Sequence, residues 1–188
     1  DLVVFPELTI TGYLSQDLLY DKDYIDAALN SLKKVQHFSS ESDPNLYIIL
    51  GNVARNPGRG KPFRNNAVVI NKGEVIGEYT KQLLPFYDVF DELRYFQPGT
   101  DLLCFKAKNK KIGVVICEDL WNDKDSDNYE DERGPLVQYQ KLGIDVLVSL
   151  NSSPYIQGKR ETRFSRLLSI ATTIPNIVYV NQVGGQDE

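Results

Sequence analysis

Apolar residues in this chain fall into short runs that break off abruptly into polar sequence, interleaved with stretches of helical spacing. Residues 2–5 form the first run, closed by Pro6 and followed by Glu7 and a turn at Thr11-Gly12-Tyr13. After an acidic start at Asp21 and Asp23, the positions Ile25, Ala28, Leu29, Leu32, Val35 and Phe38 recur at helical spacing, which predicts an amphipathic covering helix. Residues 46–50 predict a second buried strand, followed by Gly51-Asn52 and a Gly/Pro/Arg loop through Arg64. Residues 67–70 and 75–79 flank the turn Asn71-Lys72-Gly73 and predict a β-hairpin. Ile112, Val114, Val115 and Ile116 make a buried run entered from Lys110-Lys111 and left through Cys117-Glu118-Asp119. Residues 136–142 predict a helix, 144–150 a strand, about 160–173 a helix and 177–180 a last strand. Strands alternating with helices, plus one hairpin, predict an α/β layered domain.

The chemistry-bearing residues cluster at strand exits. In parallel α/β sheets ligands bind beyond the carboxyl ends of the strands, and Glu7, Lys81, Cys117 and Ser153 each follow a predicted strand. Together they supply a base, a cation, a nucleophile and a binding hydroxyl. Each also has a plain reading, because cysteine is among the most buried residue types and a lone Glu after a strand suits a solvated loop. His37, the single histidine, sits in the predicted covering helix, away from the strand exits, which argues against a Cys-His or Ser-His mechanism. The connection 82–100 carries Phe86, Tyr87, Phe90, Tyr95 and Phe96 with Asp88, Asp91, Glu92 and Arg94 among them. A connection of that length in a compact domain is expected to be a binding loop or lid.

Composition narrows the classes. With 188 residues, 41% hydrophobic and 25% charged, the chain suits one globular domain. A net charge of -5 with no basic stripe argues against nucleic acid or an anionic membrane as partner. There is neither a membrane-length apolar run nor a basic-then-apolar leader, so the expectation is a soluble, cytoplasmic protein. Cys104 and Cys117 stand one hairpin apart and are expected as free thiols. The chain starts directly in an apolar run and contains no Met, which suggests an internal segment of a longer polypeptide.

Several motifs fail on inspection. Gly58-Arg59-Gly60-Lys61 mimics a phosphate cradle, but Pro62 stands where Ser or Thr would meet magnesium. The acidic run from Asp123 to Glu132 begins like a calcium loop, yet Asn128 replaces the turn Gly and Gly134 the closing Glu, so no metal site is expected. Asn151-Ser152-Ser153 matches a glycosylation sequon that means little without a leader. Gly184-Gly185-Gln186-Asp187 lacks the serines of a pyrophosphate-binding loop.

Three short stretches, Phe5-Pro6-Glu7, Tyr79-Thr80-Lys81 and Ile116-Cys117-Glu118-Asp119, resemble the signatures of the nitrilase (carbon-nitrogen hydrolase) superfamily. Lys81 through Glu92, Cys117 through Trp121, and Asn151 through Tyr155 with Gly158-Lys159 narrow the resemblance to the glutamine-hydrolysing domains of glutamine-dependent NAD synthetases. That resemblance implies a truncated portion of a nitrilase-like α-β-β-α sandwich, one domain over residues 1–188 that is incomplete at both ends and lacks the synthetase domain. It implies a Glu7, Lys81, Cys117 triad, with Glu92 orienting Lys81 or water, and L-glutamine held by Tyr87, Glu118, Ser153 and Lys159. No cofactor is expected in this domain; ATP and magnesium belong to the synthetase domain of the same chain, and a homo-oligomer is expected. On residue chemistry alone, a Lys cation near a thiol of pKa about 8.5 favours the thiolate and a Glu can take the proton. A stand-alone amidase or carbamoylase, and a non-catalytic assembly domain, are the alternatives.

Overall fold

The computed structural model describes residues 1–13, 15–121 and 134–185, arranged around two four-stranded sheets. In the first sheet, β1 (Leu2–Val4) pairs parallel with β2 (Tyr47–Arg55), which continues antiparallel through β3 (Phe63–Asn71) and β4 (Glu74–Thr80). In the second, β5 (Cys104–Ala107) runs antiparallel to β6 (Lys110–Ile116), and β7 (Val146–Asn151) and β8 (Ile177–Asn181) follow in parallel.

Side-chain alternation explains the layering. Ile49, Ala67, Val69 and Tyr79 of the first sheet share one core with Val114, Ile116, Val148 and Leu150 of the second. Their neighbours Ile48, Leu50, Val68 and Ile70 face the other way, toward Leu32 and Val35 of α1 (Lys22–Glu41). The long connection after β4 holds one short helix, α2 (Glu92–Tyr95). Leu136 and Tyr139 of α3 (Pro135–Leu142) and Ile170 of α4 (Lys159–Ala171) cover the outer face of the second sheet. The layers therefore run α-β-β-α, the nitrilase-like sandwich that the resemblance implied.

Local chemistry accounts for the boundaries. Asp21 caps α1 by accepting the backbone N–H groups of Asp23 and Tyr24 at 2.8 and 3.1 Å. The β3–β4 hairpin turns through Lys72 and Gly73, both at positive φ (53° and 82°), as a two-residue turn requires. His37 lies exposed on α1, 3.6 Å from Glu41. Both cysteines are free thiols. Among the described residues, no helix is long and apolar enough to cross a membrane. The calcium-loop mimic from Asp123 to Glu132 and the tail positions Gln186 and Asp187 lie outside the described residues.

One predicted boundary is wrong in an instructive way. Gly51-Asn52 does not end the second strand; β2 runs on to Arg55. Gly51 is there because the Pro6–Leu8 backbone crosses directly over it, with the Gly51 N–H donating to the Pro6 carbonyl at 3.1 Å. Any Cβ at that position would collide with Leu8 N and the Glu7 carbonyl carbon, so the glycine marks a close backbone approach rather than a turn. That approach seats Glu7 against the sheet.

Candidate active site

Glu7 leaves β1 fully buried. Its Oε1 accepts from Lys81 Nζ at 2.7 Å and Asn65 Nδ2 at 2.8 Å, and its Oε2 accepts from the Ser152 backbone N–H at 3.0 Å. Lys81 follows β4, where its own N–H extends the ladder to the Asn65 carbonyl at 2.9 Å. Its ammonium also donates to Glu92 Oε1 at 2.5 Å, at the start of α2. Glu92 accepts in addition from the Tyr13 hydroxyl at 2.5 Å and from Asn65 Nδ2 at 3.3 Å. One cation is thus clamped between two buried carboxylates.

Cys117 stands where β6 ends and a 3₁₀ turn, Cys117–Trp121, begins. Its φ of 42° lies in a region that non-glycine residues rarely occupy, and such strain persists only where surroundings enforce it. Asp119 is the enforcing group. Its Oδ2 accepts from the Ile116 N–H at 3.1 Å and the Tyr79 hydroxyl at 2.8 Å, and its Oδ1 from the N–H groups of Gln82 and Leu83 at 3.1 and 2.8 Å. The turn that carries the thiol is thereby tied to the segment that carries Lys81.

The electrostatics follow from this packing. Burial alone would depress the Lys81 ammonium, but Glu7 and Glu92 reverse that and hold its pKa well above the usual lysine value. Burial raises the Glu92 carboxyl above the ordinary range against the pull of Lys81. Burial first, and Glu7 next, push the Cys117 thiol well above its usual value, and Lys81 only partly offsets them. Lys81 does favour the thiolate, as residue chemistry led us to expect, but burial and Glu7 outweigh it. Tyr13 is likewise held as a neutral donor by burial and by Glu92.

The residues expected to hold substrate are partly gathered. Tyr87 donates to the Glu118 carboxylate, 2.9 and 3.0 Å from its two oxygens. Ser153 is buried, its N–H donating to Asn181 Oδ1 at 3.0 Å and its carbonyl accepting from Arg163 Nη2 at 2.8 Å. Lys159 opens α4 with Nζ 5.2 Å above the Trp121 ring, at the far end of the Cys117 turn. A cleft of about 710 Å³ lies alongside, lined by Tyr13, Phe90, Ser152, Ser153, Arg163 and Asn181. A smaller cavity of about 150 Å³ lies against Tyr13 and Glu92, lined also by Leu19 and Tyr95. Among the described residues, no group of three or more His, Cys, Asp or Glu could hold a metal ion.

Sequence reasoning passed over Asn65, Tyr13, Ser152 and Asp119. The signal for Asn65 was weak, since Arg64, Asn65 and Asn66 stand together as a polar stretch ahead of the apolar run 67–70. The partners of Tyr13 and Asp119 lie 79 and about 40 residues away, so no local pattern reveals them.

A thiol on a strained turn beside a buried Glu-Lys-Glu cluster, between two sheets flanked by helices, suits cleavage of a carbon-nitrogen bond, and residues 1–187 match the carbon-nitrogen hydrolase family. The chain belongs to that family. It is 36% identical over 192 residues to the glutamine-dependent NAD(+) synthetase of Acinetobacter baylyi, covering all of this chain and 32% of the relative. It is 38% identical over 196 residues to the same-named protein of Synechocystis, of which it covers 34%. The chain therefore spans about a third of the length of the curated relatives it matches. Among solved structures it resembles the glutamine-dependent NAD+ synthetase of Acinetobacter baumannii in complex with adenosine diphosphate, with a TM-score of 0.82, 39% identity, and coverage of 100% of this chain and 33% of that one. An amidase from Nesterenkonia sp. shares the fold at a TM-score of 0.74 and 16% identity, covering 98% of this chain and 64% of the amidase.

Proposed function

We propose that this domain hydrolyses the side-chain amide of L-glutamine through a thioester on Cys117, and that the ammonia serves ATP-dependent amidation of deamido-NAD in a synthetase domain of the same protein. The observation that carries the reading is the ammonium of Lys81 locked between Glu7 and Glu92, within electrostatic reach of Cys117. Whole-chain likeness to glutamine-dependent NAD synthetases selects glutamine as the amide.

Because the thiol is held neutral, it loses its proton only as it attacks. Glu7 accepts that proton while Sγ bonds to the amide carbon and the C=O electrons move onto oxygen. The oxyanion is met by the Lys81 ammonium and the Glu118 N–H; one such donor is typically worth about 3 kcal/mol. Glu7 returns the proton to the amide nitrogen, the C–N bond breaks, and ammonia leaves behind a thioester. Water then gives a proton to Glu7 and adds to the thioester carbon. Collapse breaks the C–S bond, restores the thiol with that proton and releases glutamate. Glu92, through Lys81, holds the ammonium in place as Glu7 changes charge. Tyr87, Glu118, Ser153 and Lys159 hold the amino acid end of the substrate. ATP and magnesium act only in the synthetase domain.

The test uses two nitrogen sources. In the full-length protein, Cys117→Ala should abolish NAD formation from glutamine and leave formation from ammonium salts within a few-fold of the parent, since free ammonia bypasses the thiol. Equal failure with both sources, or a parent that uses neither, refutes the reading.

A further inference from the structure

Two carboxylates share one lysine in this cluster, and the proposed reaction changes the charge of one of them in every half-cycle. Lys81 grips Glu7 chiefly by charge, so its hold slackens when Glu7 is protonated. A neutral donor does not share that weakness. Asn65 is such a donor: it is fully buried on β3, and its Nδ2 reaches Glu7 Oε1 at 2.8 Å and Glu92 Oε2 at 3.3 Å. Apart from Lys81, it is the side chain among the described residues whose hydrogen bonds reach both carboxylates. Its backbone carbonyl also receives the Lys81 N–H at 2.9 Å, so the same residue touches every charged member of the cluster.

The other half of the amide adds an independent observation. Asn65 Oδ1 is buried and finds no hydrogen-bond partner among the described residues. A buried acceptor left without a partner is unfavourable, and an apolar side chain of similar shape would fill the space without that penalty. Packing alone therefore does not account for an amide at this position; its two N–H donors do.

We propose that Asn65 is a positioning residue of the hydrolysis, bridging Glu7 and Glu92 so that the base keeps its aim at Cys117 while the proton moves. This rests on the glutaminase reading above. The bridge acts on the reacting geometry and not on substrate capture, since Asn65 is sealed from solvent. Truncating it should therefore lower kcat and leave KM alone.

The experiment measures ammonia release from glutamine by the full-length protein, with kcat referred to folded protein. Asn65→Ala, which removes the donors, and Asn65→Leu, which keeps most of the volume, should each lose about 10²-fold or more in kcat with KM within about threefold, the scale expected when a reacting group is misplaced by about an ångström. Asn65→Ser, which keeps one shorter donor, should fall between them and the parent. A folded Leu variant with kcat near the parent value overturns the proposal, because volume then sufficed. Parallel changes in kcat and KM overturn it too, as does a set of variants whose only defect is reduced folded yield. Failure of the underlying reading is separable: the parent itself would then release no ammonia from glutamine, whatever stands at position 65.

Discussion

A thiol at the end of an apolar strand is ordinarily inert, and Cys117, only 9% exposed, has the burial to be so. Two particulars separate it from a packing residue: its positive φ, held by the Asp119 hydrogen bonds to Ile116, Gln82 and Leu83, and the charged cluster within reach. The neutral state of the thiol has a measurable consequence. Since burial and Glu7 both raise its pKa, alkylation by iodoacetamide should be slow at neutral pH and climb through pH 9 without a plateau between pH 6 and 8. A plateau in that interval would mean a preformed thiolate and would remove the need for Glu7 as base. Under the proposed mechanism no histidine would be required: Glu7 would take the proton, and His37 sits exposed on α1 beside Glu41.

Among the elements, the decisive contact is between the 3₁₀ turn after β6 and the chain after β4. Asp119 makes it by accepting from Gln82 and Leu83 after β4 and from Tyr79 within it, and burial raises its carboxyl to about 7 although the N–H groups of Leu83 and Ile116 and the Tyr79 hydroxyl pull it back. A folded-state pKa above the unfolded value of about 3.9 means that the native protein binds the extra proton between those limits. The resulting stability is present below about pH 4 and is lost as pH rises through about 7. Asp119→Asn cannot titrate, and it presents an N–H where Tyr79 and Ile116 donate, costing on the order of 1–3 kcal/mol for each unpaired buried donor. Urea unfolding should therefore show the gap between parent and variant largest at about pH 4 and below, narrowing by up to a few kcal/mol toward pH 8. A gap that is constant or widens with pH would show that Asp119 is ionised across the range.

At the scale of the whole molecule, the site exists only where the ends of the two sheets meet: the first sheet and its connections bring Glu7, Asn65, Lys81 and Glu92, the second brings Cys117, Asp119, Ser152 and Ser153. Selectivity should reside in the joint cleft, so a diazoketone analogue of glutamine should add once to Cys117, as read by intact mass. Small aliphatic amides should be hydrolysed with kcat/KM lower by several orders of magnitude than glutamine. Comparable values for acetamide would favour a stand-alone amidase, and the absence of any adduct an assembly domain.

Periodicity and turn chemistry were enough to name most elements and an α/β layered domain, because the apolar runs at 46–50 and 67–70 and the Lys72-Gly73 turn are local properties of the chain, whereas the α-β-β-α order came from the resemblance. The placement of Glu7, Lys81, Cys117 and Ser153 at strand ends was legible for the same reason. What the sequence could not decide was anything set by contacts between distant segments. Gly51 read as a terminator when it was a crossing point for Pro6–Leu8, Asn65 drew no reading at all, and the pull of Lys81 toward a thiolate was read without the burial and the Glu7 charge that outweigh it. In each case the missing quantity was the same. Burial and the partners that share it arise only when the two sheets close on one another, and they determine which charges are held, which proton stays, and which backbone must be bare.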